Sequence, residues 1–382
     1  FLREAEPART YPSITHWVMA DDLINGKEKE KDHSTRESEV ESILKRDRAC
    51  PFAEDLPRIE SVRSAAYLMF TSGTTGKPKG VVIPAGGLLK LGDEFKERGW
   101  NTESRVLCAA NRGFDASTFE IWATLLNGGT LVQGLKDEVI NPDLLAKLID
   151  QYGITAAWLT KTVFDLVAQL KPESLMGLVD LIIGGEALSA TVVENFLQRS
   201  KGRLRLWNGY GPTETTTFAT VDSLTLDQEG KLNPILLGRE VAGNSLHILG
   251  PDLEQLPIGS IGEAYISGAG LACGYLNNAR ATATTFIPDP YSEAPGKRMY
   301  RTGDFFQIMA MGRYRYLGRR DKLVKIRGFR VSTSTIEEQL LKIKGVSEAI
   351  VTARQHSQGQ QLVAFVKSKE NENLTGIEIR SQ

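Results

Sequence analysis

The most informative stretch of the sequence is Thr71-Ser72-Gly73-Thr74-Thr75-Gly76-Lys77-Pro78-Lys79-Gly80. It follows a short apolar run, residues 65–70, which is typical of a buried strand. Its glycines let the backbone approach an anion closely, while hydroxyl groups, backbone N–H groups and lysines supply hydrogen-bond donors and positive charge. Gly73 and Gly76 are too close together for a phosphate loop of the Walker type. The stretch therefore predicts an anion-binding loop of another kind.

Segments typical of strands and of helices alternate between about residues 104 and 210. Strands are predicted at 106–110, 130–132, 155–159 and 180–183. Asn141 and Pro142 predict the start of a helix, because asparagine caps free N–H groups and proline suits the first helical position. Such alternation predicts a mostly parallel sheet with helices on both faces. Sheets of this type bind ligands beyond the carboxyl ends of their strands.

The pattern changes after about residue 233. Residues 234–276 contain many glycines and prolines between short alternating runs, which predicts a smaller antiparallel or barrel-like unit. Beyond Asp321 a strand, a helix and a strand are predicted. We therefore expect a large domain over residues 1–320, barrel-like from about 234 to 320, and a small domain over 321–382. Because the first residue is not methionine and the last segment is polar, we expect both domains to be incomplete.

Composition excludes several classes of function. The 382 residues include 46 Lys+Arg and 47 Asp+Glu, a net charge of −1, which argues against nucleic-acid or membrane binding driven by charge. No apolar run is long enough to span a bilayer, and the start lacks the pattern of a signal peptide. The three cysteines are far apart, which argues against a disulfide scaffold and for the cytoplasm. The four histidines are equally scattered, so no protein-built zinc site is predicted.

Five further stretches follow the 71–80 loop in a fixed order. They are Phe114–Trp122, Asn208–Glu214, Gly262–Ile266 with Gly274–Leu276, Tyr300–Asp304, and Gly318–Asp321 with Val324–Arg330. Together with the loop they resemble the core motifs of the adenylate-forming enzymes, the superfamily of acyl-CoA synthetases, luciferases and nonribosomal peptide synthetase adenylation domains. The resemblance covers residues from about 65 to 355, although Cys273 stands where the family usually has arginine. The 114–122 stretch resembles the substrate-helix motif of the peptide synthetase branch.

This resemblance implies an α/β fold. A large N-terminal domain of doubly wound sheets plus a distorted β-barrel would be followed by a small mobile α+β C-terminal domain. The implied reaction is in-line attack of a substrate carboxylate on the α-phosphorus of ATP, which releases pyrophosphate. The acyl group would then pass to the phosphopantetheine thiol of a peptidyl carrier protein domain. A condensation domain and a small activating partner protein are further partners that the resemblance allows.

The resemblance also implies which residues handle the nucleotide. The catalytic set would be Thr71, Ser72, Thr74, Lys79, Thr213 and Glu214. Within it, Glu214 would hold Mg²⁺, since a carboxylate suits a hard cation that bridges phosphate oxygens. The residues that contact adenosine would be Asn208, Tyr210, Asp304 and Arg319. Tyr210 would stack on adenine, Asp304 would accept hydrogen bonds from the ribose, and Asp321 would be the hinge between the domains.

Asp115 would decide the kind of acid, because amino-acid-activating members pair an aspartate here with the substrate α-ammonium group. The pocket positions implied by the resemblance are Asp115, Ala116, Phe119, Trp158, Ile182, Gly184, Gly209, Thr217 and Phe218. In order they resemble a specificity code for valine. Aromatic and isoleucine side chains predict an apolar pocket, which Trp158 and Phe218 would shorten to a β-branched side chain.

Two departures from the family pattern bear on function. The resemblance places the family's catalytic lysine beyond Gln382. Residues 331–337 and Leu323 differ from the usual pattern in the surface that meets the carrier during thioester formation. The motifs and the pocket positions together predict an adenylation domain that activates L-valine. The alternatives are an acyl- or aryl-CoA ligase of the same superfamily and a degenerate, non-catalytic docking module.

Overall fold

The structure is a computed structural model that describes residues 61–71, 78–319, 323–326, 329–356 and 359–368. Its strands are β1 (Ala65–Thr71), β2 (Lys79–Pro84), β3 (Arg105–Cys108), β4 (Thr130–Gln133), β5 (Ala156–Thr160), β6 (Asp180–Gly184), β7 (Arg205–Tyr210), β8 (Thr220–Leu224), β9 (Asn244–Leu249), β10 (Ile261–Gly268), β11 (Gly274–Tyr275), β12 (Phe286–Pro288), β13 (Arg298–Met309), β14 (Arg313–Arg319), β15 (Leu323–Ile326), β16 (Phe329–Ser332), β17 (Val346–His356) and β18 (Gly359–Ser368). Its α-helices are α1 (Ala85–Glu97), α2 (Ala116–Leu125), α3 (Lys136–Ile140), α4 (Pro142–Tyr152), α5 (Lys161–Leu170), α6 (Ala190–Ser200), α7 (Ala279–Thr285) and α8 (Thr333–Lys342).

A six-stranded sheet in the order β4-β3-β5-β6-β7-β8 forms the centre of the fold. Five of these strands, β3 to β7, run parallel to their neighbours, and β8 pairs antiparallel with β7. Side chains of successive strand residues point to opposite faces, so Leu181 and Ile183 pack in one core cluster and Ile182 in another. The predicted parallel sheet with apolar material on both faces is confirmed.

Helices cover both faces of this sheet. Leu91 and Phe95 of α1 pack with Phe119 of α2 on one face, whereas Phe164 of α5 and Phe196 of α6 pack on the other. All five side chains are at most 1% exposed, and burial of such a side chain stabilises the fold by about 1.5–3 kcal/mol. The sheet is therefore held rigid on both sides, which fixes the positions of the loops at its ends.

The predicted start of α4 is confirmed in atomic detail. The Asn141 side chain accepts hydrogen bonds from the backbone N–H groups of Asp143 (3.0 Å) and Leu144 (3.3 Å), and Pro142 occupies the first helical position. These are donors that a helix start leaves without intrahelical partners. The local chemistry of this start is thus sufficient to define it.

The apolar run before the 71–80 loop forms a strand, as predicted, but the expectation that this strand is buried is wrong. Strand β1 lies at the edge of a three-stranded sheet in the order β1-β2-β11. Met69 is buried, whereas Leu68 is 39% exposed and Phe70 is 59% exposed. The reason is that an edge strand of a small sheet packs one face on the core, so alternate side chains remain outside.

Within the region from about residue 234 to 320, strands form an antiparallel sheet in the order β12-β13-β10-β9, with β14 paired to β13. Its inner face packs Ile248, Ala264, Ile266 and Phe306 into one cluster, which gives the half-barrel that the sequence predicted. After β15, strand β16 precedes α8, which packs against β17, and β17 pairs with β18. The strand, helix and strand predicted beyond residue 321 are present as β15, α8 and β17, and β16 and β18 are two additional strands.

Candidate active site

A cavity of about 1280 Å³ opens beyond the carboxyl ends of the parallel strands. Its wall includes the residues that follow β3 and β6, the ends of β5 and β7, and the beginning of α2. Residues of β13, β14 and β17, together with Thr333 of α8, close the other side. The cavity lies where ligands bind in sheets of this topology, as the sequence predicted.

Most of the predicted site residues that the structure describes line this cavity. They are Thr71, Asp115, Ala116, Trp158, Asn208, Gly209, Tyr210, Thr213, Thr217, Phe218, Asp304 and Arg319. Those that do not reach its wall are Lys79, Phe119, Ile182, Gly184 and Glu214. Ser72, Thr74 and Asp321 lie outside the described residues. The chain thus converges on one place from segments that are more than two hundred residues apart.

Asp115 immediately precedes α2 and contacts the loop between β7 and β8. Its carboxylate accepts a hydrogen bond from the Thr213 hydroxyl at 2.6 Å, and its carbonyl oxygen accepts one from the Thr217 hydroxyl at 2.8 Å. The N-terminal end of a helix also favours negative charge close by. Asp115 is therefore a carboxylate held in one orientation at the boundary between the predicted substrate residues and the predicted phosphate residues.

The pocket positions behind Asp115 form a packed aromatic floor. The rings of Phe119 and Phe218 meet edge to face with centroids 5.0 Å apart. A Cβ atom on Gly209 would lie 2.5 Å from the Phe218 ring, and one on Gly184 would lie 2.3 Å from the Gly209 carbonyl oxygen. Phe119 and Ile182 have no exposed surface and support the wall from behind. Trp158 and Phe218 are the aromatic pocket positions that face the cavity.

Three of the predicted adenosine residues form a single hydrogen-bonded group. The Asp304 carboxylate accepts from the Tyr210 hydroxyl at 2.5 Å and from Arg319 Nη1 at 3.1 Å, while Arg319 Nη2 donates to the Thr302 carbonyl oxygen. Asp304 and Arg319 are partners in the β13–β14 register. Burial and the neighbouring Asp304 raise the pKa of Tyr210 well above its ordinary value, so its hydroxyl remains a donor.

Glu214 lies just behind the cavity wall and is 3% exposed. Its Oε1 accepts a hydrogen bond from the Tyr275 hydroxyl at 2.9 Å, and Lys79 Nζ lies 5.2 Å from the centre of the Tyr275 ring. In the described part of the chain no cluster of three or more His, Cys, Asp or Glu could hold a metal. The Glu214 carboxylate alone would nevertheless fit Mg²⁺, because this ion is usually bound by one or two carboxylates together with substrate phosphates.

Two polar residues that support the site from behind were not predicted as functional. Tyr275 belongs to the Gly274–Leu276 part of a motif to which no functional residue was assigned, and its place in that motif was the signal that could have identified it. Glu120 accepts from the backbone N–H of Ala110 at 3.1 Å with both oxygens, and Ala110 lines the cavity. Burial raises the pKa of Glu120 to about 7, against hydrogen bonds from the backbone that lower it. Glu120 therefore anchors the wall segment that follows β3.

Comparison with known proteins identifies the class. The family model described as AMP-binding enzyme matches residues 2–276. Over 319 residues the chain is 40% identical to malpibaldin synthetase of Mortierella alpina, and over 328 residues 36% identical to gramicidin S synthase 2 of Brevibacillus brevis. These matches cover 84% and 86% of this chain but 6% and 7% of the two synthetases.

A solved structure has the same fold. It is holo-PA1221, described as a nonribosomal peptide synthetase protein that contains adenylation and PCP domains. It matches with a TM-score of 0.74 and 33% identity, over 83% of this chain and 54% of that one. The chain belongs to the AMP-binding enzyme family, as an adenylation domain of the nonribosomal peptide synthetase type. In the part of the chain that the structure describes, no helix has the length and apolar character needed to cross a membrane.

Proposed function

We propose that this domain activates L-valine with ATP, forming valyl adenylate and pyrophosphate. The observation that carries the proposal is the position of Asp115, whose carboxylate bonds to Thr213 and adjoins an apolar wall that includes Trp158 and Phe218. A free amino acid needs all three features at one place. Its α-ammonium group needs a negative partner, its carboxylate must face the phosphates, and its side chain needs an apolar surface.

The side chain of the substrate is assigned by shape and charge. Among the nine predicted pocket positions, Asp115 alone carries a charge. An acidic or basic substrate side chain would therefore lose its hydration without gaining an ion pair, which is costly. The Phe218 ring is fixed by its contact with Phe119, so the depth of the pocket is fixed as well. A short β-branched side chain such as that of valine is the substrate that these positions favour.

Adenylation needs orientation and charge neutralisation, and it needs no side-chain nucleophile. The substrate carboxylate attacks the α-phosphorus of ATP in line, and the electron pair of the breaking bond leaves with pyrophosphate. Tyr210, Asp304 and Arg319 would fix the adenosine so that the phosphates point toward Thr213. Asn208 also lines this part of the cavity. Bound Mg²⁺ would neutralise phosphate charge, and Glu214, oriented by Tyr275, would hold it. Ser72, Thr74 and Lys79 would contact the phosphates from the 71–80 loop.

The product adenylate would then pass its valyl group to the phosphopantetheine thiol of a peptidyl carrier protein domain. A similar protein, PA1221, combines adenylation and PCP domains, which supports this partner. We assign residues 1–320 to the large domain and 321–382 to the small domain, with Asp321 as the hinge. A condensation domain and a small activating partner remain part of the proposal, as does a cytoplasmic location.

The test is amino-acid-dependent exchange of pyrophosphate into ATP by the complete protein, measured with a panel of amino acids and simple carboxylic acids. Valine should give the highest kcat/KM, with isoleucine as the main larger competitor. Threonine should be rejected only modestly, because its shape nearly matches that of valine. A profile led by a carboxylic acid without an amine would support a CoA ligase instead. No exchange with any acid would support a docking module.

A further inference from the structure

Lys90 is a buried lysine in the middle of α1. Its side chain is 3% exposed, and its Nζ donates to three backbone carbonyl oxygens, those of Thr215 (2.8 Å), Thr216 (3.2 Å) and Phe218 (2.8 Å). An ammonium group has three N–H donors and no acceptor, so each donor has one partner here. All three acceptors belong to one segment, residues 213–218, which we call the 213–218 loop.

Polar groups around Lys90 compensate the burial of its charge. Burial lowers the pKa of Lys90 to about 7, and Glu94, one turn further along α1, opposes this shift. Glu94 is itself paired with Arg98 at 2.6 Å and accepts from the backbone N–H of Ala242. A buried ammonium group is costly unless hydrogen bonds compensate it. The three carbonyl oxygens supply that compensation.

The 213–218 loop has a strained backbone. Thr216 and Thr217 adopt φ angles of 59° and 62°. β-Branched residues rarely occupy this left-handed region, and consecutive residues that do so must be held there by their surroundings. The Thr216 hydroxyl donates to the Gly270 carbonyl oxygen at 2.7 Å, and that of Thr217 donates to the Asp115 carbonyl oxygen. Lys90 binds the carbonyl oxygens on both sides of these two residues.

Two glycines leave room for this arrangement. A Cβ atom on Gly87 of α1 would lie 2.3 Å from the Thr216 hydroxyl oxygen. A Cβ atom on Gly270 would lie 2.5 Å from Lys90 Nζ and 2.7 Å from the Thr215 carbonyl oxygen. Helix α1, the 213–218 loop and the segment after β10 therefore meet around the lysine ammonium group.

We propose that Lys90 is a positioning residue, whose ammonium group holds the 213–218 loop in its strained conformation and so places Thr213, Glu214 and Thr217. Its effect on activity rests on the proposed adenylation function, whereas its effect on the loop does not. Lys90 lies outside every motif of the family resemblance, and it is not among the residues that line the cavity.

The experiment uses Lys90→Met in the complete protein, which keeps most of the side-chain length and removes the charge. The matched control is Lys161→Met, because Lys161 is also buried, at 4% exposed, and pairs with Asp165 within α5 and not with the 213–218 loop. Hydrogen exchange by mass spectrometry reports on the loop, where the amides of Thr215 and Thr216 bond to carbonyl oxygens in the native structure. Pyrophosphate exchange reports kcat and KM separately.

Lys90→Met should raise the rate of hydrogen exchange in the 213–218 loop by about tenfold or more. Exchange in α5 and α6, on the opposite face of the central sheet from α1, should not change. It should lower kcat by about 10- to 100-fold, since small misplacements of reacting groups are costly, with a much smaller change in KM. Lys161→Met should do neither. Adding Thr216→Gly to Lys90→Met should restore part of kcat, because glycine adopts the left-handed conformation without strain.

Wild-type loop protection and wild-type kcat in Lys90→Met would overturn the proposal. It would also be overturned if protection and kcat fell only in proportion to global unfolding and Thr216→Gly restored neither. If Lys90→Met does not fold, Gly270→Ala crowds the contact between the ammonium group and the Thr215 carbonyl oxygen instead, and unchanged loop protection in that variant would equally overturn the proposal. Absence of pyrophosphate exchange in the wild type would refute the adenylation function alone, because the hydrogen-exchange result still decides the role of Lys90.

Discussion

If Asp115 binds the substrate α-ammonium group as proposed, its replacement should separate recognition of the amino-acid backbone from recognition of the side chain. Asp115→Asn keeps an oxygen that can accept the 2.6 Å hydrogen bond from Thr213, and the bond from Thr217 goes to the backbone carbonyl oxygen. This variant therefore removes the charge and little else. Asp115→Ala removes the acceptor as well and leaves the Thr213 hydroxyl without this partner.

The expected magnitudes follow from these contacts. Loss of one partner of a buried ion pair costs about 3–5 kcal/mol. Asp115 is only partly buried, so we take the lower end, about 3 kcal/mol, or roughly 10²-fold in kcat/KM for Asp115→Asn. An unsatisfied Thr213 hydroxyl adds about 1 kcal/mol, which gives roughly 10³-fold for Asp115→Ala. A methylene added to or removed from an apolar pocket is worth only about 1–3 kcal/mol.

The assay is pyrophosphate exchange with valine, isoleucine, 2-aminobutyrate and 3-methylbutanoate, which is valine without its amine. Asp115→Ala should depress valine activation more than a change from valine to isoleucine or 2-aminobutyrate does in the wild type. The disadvantage of 3-methylbutanoate relative to valine should shrink in both variants. Asp150→Asn, an exposed carboxylate on α4, is the control and should behave as wild type. Valine kcat/KM within threefold of wild type in Asp115→Ala would refute the ion-pair reasoning.

Three other substitutions test separate parts of the site. Glu214→Gln should lower exchange at saturating Mg²⁺ by about 10²- to 10³-fold, and near-wild-type exchange under that condition would contradict its metal role. Trp158→Ala should shift preference toward longer aliphatic or aromatic amino acids, and an unaltered profile led by valine would contradict the pocket assignment. Burial raises the Glu120 pKa from 4.5 to about 7, so the folded state binds more protons between these values and the free energy of unfolding falls as pH rises through them. Glu120→Gln should remove about 3 kcal/mol of this dependence, measured by urea unfolding at pH 5 and pH 8, and an unchanged dependence would show that Glu120 does not titrate there.

The contact between Asp115 and Thr213 also joins the two halves of the proposed reaction. The first residue would bind the α-ammonium group and the second would face the phosphates, and the same hydrogen bond fixes both. The group formed by Tyr210, Asp304 and Arg319 would fix adenosine in the same way. Preorganised polar groups of this kind need no rearrangement when charge develops in the transition state.

Features that depend on neighbouring residues in the chain were predictable from the sequence. The start of α4 at Asn141 and Pro142, the strands of the parallel sheet and the turn to antiparallel structure after residue 233 all follow from local chemistry and side-chain spacing. The motif residues identified the family because their order along the chain is itself informative. The run from Ala65 to Phe70 shows the limit, since its composition predicts a strand but not that this strand lies at a sheet edge.

Only the tertiary structure decided which polar residues meet. Asp115 and Thr213 are 98 residues apart in the chain, and Lys90 is 125 residues from Thr215. A lysine inside a helix ordinarily belongs to its solvated face, so nothing in the sequence around Lys90 predicts burial. The burial of Lys90 follows from the packing of α1 against a loop whose carbonyl oxygens turn inward at Thr216 and Thr217. Such convergence is a property of three-dimensional packing, because the groups that compensate a buried charge come from parts of the chain that local spacing does not connect.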